Sequence, residues 1–198
     1  MVNNEFKLKP NFFEKNESKK QILLSNSFRY FDDFKNQLTY RFNGKNKKIP
    51  HYFIKKNGEV FCFLDSEYVS EYFFSNNKEN LVHICLENIG WVEKVPMKDY
   101  YSNWLGIIKK DDIYEKKWRD YFFWDSYTDE QINSLIDLCK KITMETSIKY
   151  RFIGHNTKSS SVESYEGIAC RSNYNSFYTD LSPSFPFSNF IKKLEYEN

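Results

Sequence analysis

The chain of 198 residues has little of what punctuates or crosslinks a fold: six glycines, five prolines and four cysteines. With 40% hydrophobic and 19% aromatic residues, such sparse glycine and proline exclude a disordered or low-complexity chain. Cys62, Cys85, Cys139 and Cys170 lie far apart with no CxxC pair, so reduced core thiols are expected rather than a disulfide framework. An excess of charge is missing too. Against 29 basic residues stand 27 acidic ones, a net +2, which provides no electrostatic basis for binding nucleic acid. The basic run from Lys45 to Lys48 reads as a solvated turn. No apolar run approaches the ~18–20 residues of a membrane span, and the first residues lack the apolar core of a signal peptide. A protein made in the cytoplasm, without membrane insertion, is expected.

What is present is a succession of apolar segments long enough for one cored domain. Residues 1–19 are polar and rich in Lys and Asn, and read as an N-terminal arm before a single domain over 20–198. Gln21-Ile22-Leu23-Leu24 reads as a buried strand that ends at Ser25-Asn26-Ser27. Phe31, Phe34, Leu38 and Phe42 recur at helical steps, predicting an amphipathic helix over about 29–42 that Asn43-Gly44 stops. Residues 51–55 and 59–64 flank Lys56-Asn57-Gly58, the signature of a tight hairpin. Leu81 to Leu86 is almost uninterruptedly apolar, hence a central strand buried on both faces.

Residues 91–126 are aromatic and without clear period, and read as an irregular insert folded over the domain, either a lid, a binding surface or satellite packing. A second helix follows, with Thr128 as N-cap, Gln131 completing a capping box, and Ile132, Leu135, Ile136, Cys139 and Ile142 as its apolar face. Tyr150 to Ile153 is expected to return to the sheet, and a short helix over about 187–196 to close the chain. Strands alternating with helices predict an α/β domain, a central mixed β-sheet flanked by helices.

Two loop ends carry chemistry: Gly154-His155-Asn156 and Thr179-Asp180-Leu181-Ser182-Pro183. One imidazole and one carboxylate beside turn residues suit either a metal site or a catalytic pair. Only three histidines exist, His51, His83 and His155. His83 lies within the central strand, its side chain on the opposite face from those of Val82 and Ile84, where a core role is expected.

The strand ending in polar residues, the hairpin, the strand from Val82 to Gly90, the capped helix and the Gly-His…Thr-Asp…Pro pair together resemble the zinc-dependent N-acetylmuramoyl-L-alanine amidases, which share a fold with peptidoglycan-recognition proteins. The likeness is to phage-type members and covers about residues 20 to 195. It implies a zinc held by two His and one Asp, Cys or His, activating water to cleave the amide between muramic acid and L-alanine. His155 falls at the second metal His and Asp180 at the third ligand. The first-ligand position, where the family pattern is three apolar residues followed by His-His-Thr, is Ser25. The Trp-His pair after the hairpin is Glu71-Tyr72, a catalytic Lys is replaced by Tyr178, and a Tyr before the hairpin His51 is Pro50. Cys85 occupies a position that is Glu or Cys in the family.

The resemblance therefore implies a degenerate site. His51, Cys85 and Tyr178 are the remaining catalytic candidates, His155 and Asp180 residual metal ligands, and Glu71, Tyr72, Trp91 and Trp104 a substrate groove. No cofactor is expected, zinc entering only if His51 or His83 rebuilds the site. The expected partner is peptidoglycan or another phage or virion protein, in a virion-associated, catalytically inactive module. The alternatives are an active amidase with a rebuilt site, or a regulator that binds another protein.

Overall fold

The computed structural model describes residues 1–9, 11–40 and 47–196, with no side-chain detail for 38–40, 195 and 196. Its centre is a six-stranded sheet built from β1 (Val2–Asn3), β2 (Gln21–Asn26), β3 (Tyr52–Ile54), β4 (Val60–Cys62), β5 (Leu81–Leu86) and β11 (Gly167–Cys170), in the order β1-β4-β3-β5-β2-β11. Only β3 and β4 pair antiparallel, so the sheet is mixed, as expected. The continuous apolar runs of β2 and β5 sit side by side with every residue buried, because both sheet faces are covered.

Alternation along the strands sorts the core into two layers. Ile22, Leu24, Val82, Ile84, Tyr52 and Ile54 face α2 (Asp129–Glu145) and α4 (Phe187–Tyr196), where Leu135, Ile136, Cys139, Ile142, Phe190 and Leu194 meet them. Phe53, Phe61, Phe63 and Cys85 face α1 (Phe31–Tyr40) through Phe31 and Phe34. The hairpin forms around Gly58, whose φ of +82° only glycine adopts without strain. An added Cβ there would also sit 2.9 Å from the carbonyl oxygen of Glu130 at the start of α2. Among the described residues no helix is long and apolar enough to cross a membrane.

Several expectations are corrected. The first 19 residues do not stand off as an arm. β1 adds an edge strand to β4, Phe13 is buried beside Phe34 and Phe63, and the Lys19 ammonium is held between the carbonyls of Tyr68 and Glu79. Phenylalanine in a polar segment drives this docking, because its large apolar area outweighs the flanking Lys and Asn.

Residues 91–126 are not irregular either. They form β6 (Trp91–Lys94), β7 (Tyr100–Asn103), β8 (Gly106–Lys109), β9 (Ile113–Trp118) and β10 (Tyr121–Asp125), a five-stranded antiparallel sheet ordered β8-β7-β6-β10-β9. Val92, Tyr101 and Ile108, with Ile89, make its own small core, against which Phe123 packs.

Residues 150–153 do return to the sheet, but only as a single parallel bridge, Phe152 to Ile168, along the outer edge of β11, a strand the sequence did not predict. The Thr128 side chain caps α2 by accepting from Gln131 N–H at 3.1 Å. The reciprocal half of the capping box is absent: Gln131 Oε1 accepts no hydrogen bond among the described residues, while the side-chain NH2 donates to the carbonyls of Ile54 and Glu87. α1 begins two residues later than expected. Its predicted far end at Phe42 and Asn43-Gly44, and the first half of the 45–48 basic run, lie outside the described residues.

Candidate functional site at the end of strand β2

In sheets of parallel strands, ligand sites form beyond the carboxyl ends of the strands, where chain segments diverge. Here β2 ends at Asn26, and β11 leads directly into α3 (Arg171–Tyr174) beside it. Asp180 reaches this point from the C-terminal loop and is fully buried. Its Oδ2 accepts from Asn26 N–H at 3.1 Å and from Arg171 Nε at 2.7 Å. Arg171 Nη2 also donates to the Asn26 carbonyl at 3.2 Å. The rings of Tyr178 and Phe28 flank the guanidinium, 5.1 and 5.5 Å from their centroids. Burial alone would lower the Arg171 pKa, but the surrounding groups, Asp180 foremost, together more than offset it and hold the guanidinium above its ordinary value.

The sheet face leading to this ion pair is polar in an apolar surround. Ser25 is in register with Cys85, and Leu23 with His83, so Ser25, Cys85 and His83 project from the same face. Tyr72 hydroxyl contacts Cys85 Sγ at 3.3 Å. Burial pushes the Cys85 thiol up to about 11 and the Tyr72 phenol well above its usual value, so neither is an ionised nucleophile near neutrality. Among the described residues, the buried polar atoms without a hydrogen-bond partner include three at this end of the sheet: Ser25 Oγ, His83 Nε2 and Asp180 Oδ1.

The expected ligands His155 and Asp180 are engaged separately. His155 is exposed, its Nδ1 accepting from the Thr157 hydroxyl and backbone N–H at 3.0 and 3.3 Å. No hydrogen bond or ion pair joins it to Asp180 among the described residues; the loops touch instead through Asn156 Nδ2 and the Leu181 carbonyl at 2.8 Å. His51 cannot substitute. Its Nδ1 accepts from His83 N–H at 2.9 Å, which leaves the proton on Nε2 to be donated to the Tyr68 carbonyl at 2.9 Å. Both ring nitrogens are thus committed, and burial lowers the pKa of His51 to about 3. His83 lies flat against His51, with ring centroids 5.6 Å apart, inside the core.

Zinc requires three donors with free lone pairs about 2 Å from one point. Among the described residues no group of three or more His, Cys, Asp or Glu side chains meets that need. Ser25 is a neutral hydroxyl, His155 points to solvent, and the Asp180 carboxylate already faces a cation. The residues do not fit the metal.

Of the other candidates, Tyr178 borders the pocket and the rest lie apart from it. Tyr178 packs its ring on Phe73 and over Arg171. Glu71 faces Lys78 at 3.8 Å, Pro50 is buried, and Trp91 stacks on Tyr121 with centroids 4.4 Å apart. Trp104 is 77% exposed at the β7–β8 turn. The insert nevertheless reaches the pocket. At the β9–β10 tip, Arg119 lies over the Trp118 ring and donates to the Tyr178 carbonyl at 2.5 Å.

The model of the N-acetylmuramoyl-L-alanine amidase family matches residues 25–167, more than half of the chain. The chain belongs to the N-acetylmuramoyl-L-alanine amidase family. A search of curated proteins finds no match. Among solved structures, the amidase fold is shared with the N-acetylmuramoyl-L-alanine amidase LysC from Clostridium intestinale URNW, at 13% identity and a TM-score of 0.53, over 98% of this chain and 96% of that one. The endolysine amidase LysCS from the same organism aligns at 13% identity and a TM-score of 0.54, over 98% and 94%. The amidase AmiD from E. coli, solved with anhydro-N-acetylmuramic acid-L-Ala-D-gamma-Glu-L-Lys, aligns at 15% identity and a TM-score of 0.55, over 91% of this chain and 58% of that one.

Sequence reasoning missed Arg171, Arg119 and Glu87. In the amidase fold seen here, Glu87 ties two elements together, accepting from Phe31 N–H at the start of α1 and from Lys56 N–H in the hairpin turn. The available signal for Arg171 was a cation directly after the apolar run Gly167-Ile168-Ala169-Cys170, a short way before Asp180.

Proposed function

We propose that this member of the amidase family is a catalytically inactive, peptidoglycan-binding module of phage type that acts in or on a virion. The observation that carries the reading is the Arg171–Asp180 ion pair. A buried guanidinium on Asp180 Oδ2 places a fixed positive charge where a Lewis acid would sit, and the residue at the first-ligand position, Ser25, is a poor zinc donor. Without an activated water, amide hydrolysis loses its nucleophile. Binding does not need one. The AmiD structure holds a muramyl peptide, so substrate recognition is a property available to the fold, and the aromatic second sheet supplies additional contact surface here.

The experiment incubates the purified chain with isolated sacculi, with and without zinc. Co-sedimentation with sacculi and no release of peptides bearing free L-alanine amino groups is the expected result. Zinc-dependent release would overturn it in favour of an active amidase. A stable protein partner with no affinity for sacculi would favour a regulator. Mass spectrometry of purified particles tests the virion assignment.

A further inference from the structure

We propose that Arg171 is the resident cation of this pocket, a covalently attached guanidinium that takes over the charge-neutralising and cross-linking work of a metal at Asp180. The inference rests on the same ion pair as the proposed function but is independent of peptidoglycan binding.

A buried carboxylate requires a partner, and a metal in such a site does two things: it neutralises the ligand's charge and ties together the chain segments that bear the ligands. Arg171 does both. Its Nε neutralises Asp180, and its Nη2 holds the Asn26 carbonyl, so one side chain joins the end of β2, the start of α3 and the loop at Asp180. The backbone repeats the link, with Ser172 N–H donating to the Asp180 carbonyl at 2.9 Å. Guanidinium suits the position, being permanently charged, weakly hydrated and planar, and here it lies near the rings of Phe28 and Tyr178. The polar lining persists around it, since Ser25 Oγ, His83 Nε2 and Asp180 Oδ1 stay buried and unpartnered. From outside, Arg119 of the second sheet fastens the Tyr178 carbonyl. A divalent ion entering this pocket would meet a fixed positive charge beside its only carboxylate.

The test is chemical rescue, read by thermal unfolding. Wild-type melting is expected to be unmoved by a chelator, by stoichiometric zinc or by a few millimolar guanidinium. Arg171→Ala should melt roughly 10 °C lower, and millimolar guanidinium or methylguanidinium should recover part of the loss. If Arg171→Ala does not fold, Arg171→Gln combined with Asp180→Asn serves, and is expected to melt above Arg171→Gln alone because the stranded charge is gone. A zinc-induced rise in wild-type melting temperature would overturn the proposal. So would an Arg171→Ala protein as stable as wild type, a folded one that guanidinium does not rescue, or a double variant no more stable than the single.

Discussion

His51 and His83 lie face to face in the core, 9° from parallel, and the Nδ1 of His51 accepts the backbone N–H of His83 at 2.9 Å. Both imidazoles are neutral in the folded chain. Burial is the main cause of their lowered pKa values, His51 to about 3 and His83 well below 6.5, with Lys19 and, for His83, the neighbouring His51 adding to it. In the unfolded chain both titrate near 6.5. The unfolded state therefore takes up protons that the folded state cannot. Stability is complete above about pH 6.5 and declines as pH falls toward the folded values. At about pH 5 the loss is expected to reach roughly 2 kcal/mol per histidine, seen as a falling urea midpoint. His51→Gln should flatten part of that slope; an unchanged slope would refute the assignment.

Lys56 and the buried Asp125 form a second ion pair, joining the hairpin turn to the last strand of the second sheet. Asp125 is fully buried, and burial raises its pKa while Lys56 opposes the rise. Lys56→Met leaves the carboxylate stranded and should cost about 3–5 kcal/mol in denaturant unfolding. Lys78→Met, which removes only the exposed contact with Glu71 at 3.8 Å, should change stability by less than about 0.5 kcal/mol.

Gln131 bridges layers that α2 would otherwise only cover, donating to the carbonyls of Ile54 and Glu87 at 3.1 Å each. Gln131→Met keeps the volume and removes both donors, with an expected cost of about 1–3 kcal/mol. Thr128→Ala, which loses the cap of the same helix and the hydroxyl's bond to the Lys56 carbonyl, should cost about 1–2 kcal/mol. Urea unfolding measures both; a loss near zero for either variant would contradict the bonding seen in the structure.

Two tryptophans of the second sheet separate binding from folding. Trp104→Ala removes a 77% exposed ring and should leave the melting temperature nearly unchanged while weakening co-sedimentation with sacculi. Trp124 is fully buried, with its indole N–H on the Lys116 carbonyl at 2.8 Å, and Trp124→Ala should cost about 3–5 kcal/mol. Undiminished sedimentation of the Trp104 variant would remove that ring from the binding surface.

Strands β2 and β5, the hairpin and helices α2 and α4 were legible in the sequence because each carries a local signal. An unbroken apolar run, an Asn-Gly turn and a 3.6-residue period need no knowledge of what packs against them. The second sheet was not legible. Its strands are mostly four or five residues long and carry aromatics on both faces, as Trp124 and Phe123 do on opposite sides of β10, so the two-residue alternation disappears. The strand β11 is just four residues and was passed over for Tyr150–Ile153, which packs on the core and adds only one bridge to the outer edge of β11.

By itself the sequence determined the mixed sheet, the two-sided burial of its centre and the family, because burial and turn formation are written in adjacent residues. Which way His155 points, and which cation meets Asp180, were decided only by tertiary structure. Those outcomes depend on β11 and α3 setting Arg171 against the end of β2, a juxtaposition of segments 145 positions apart that no local pattern encodes.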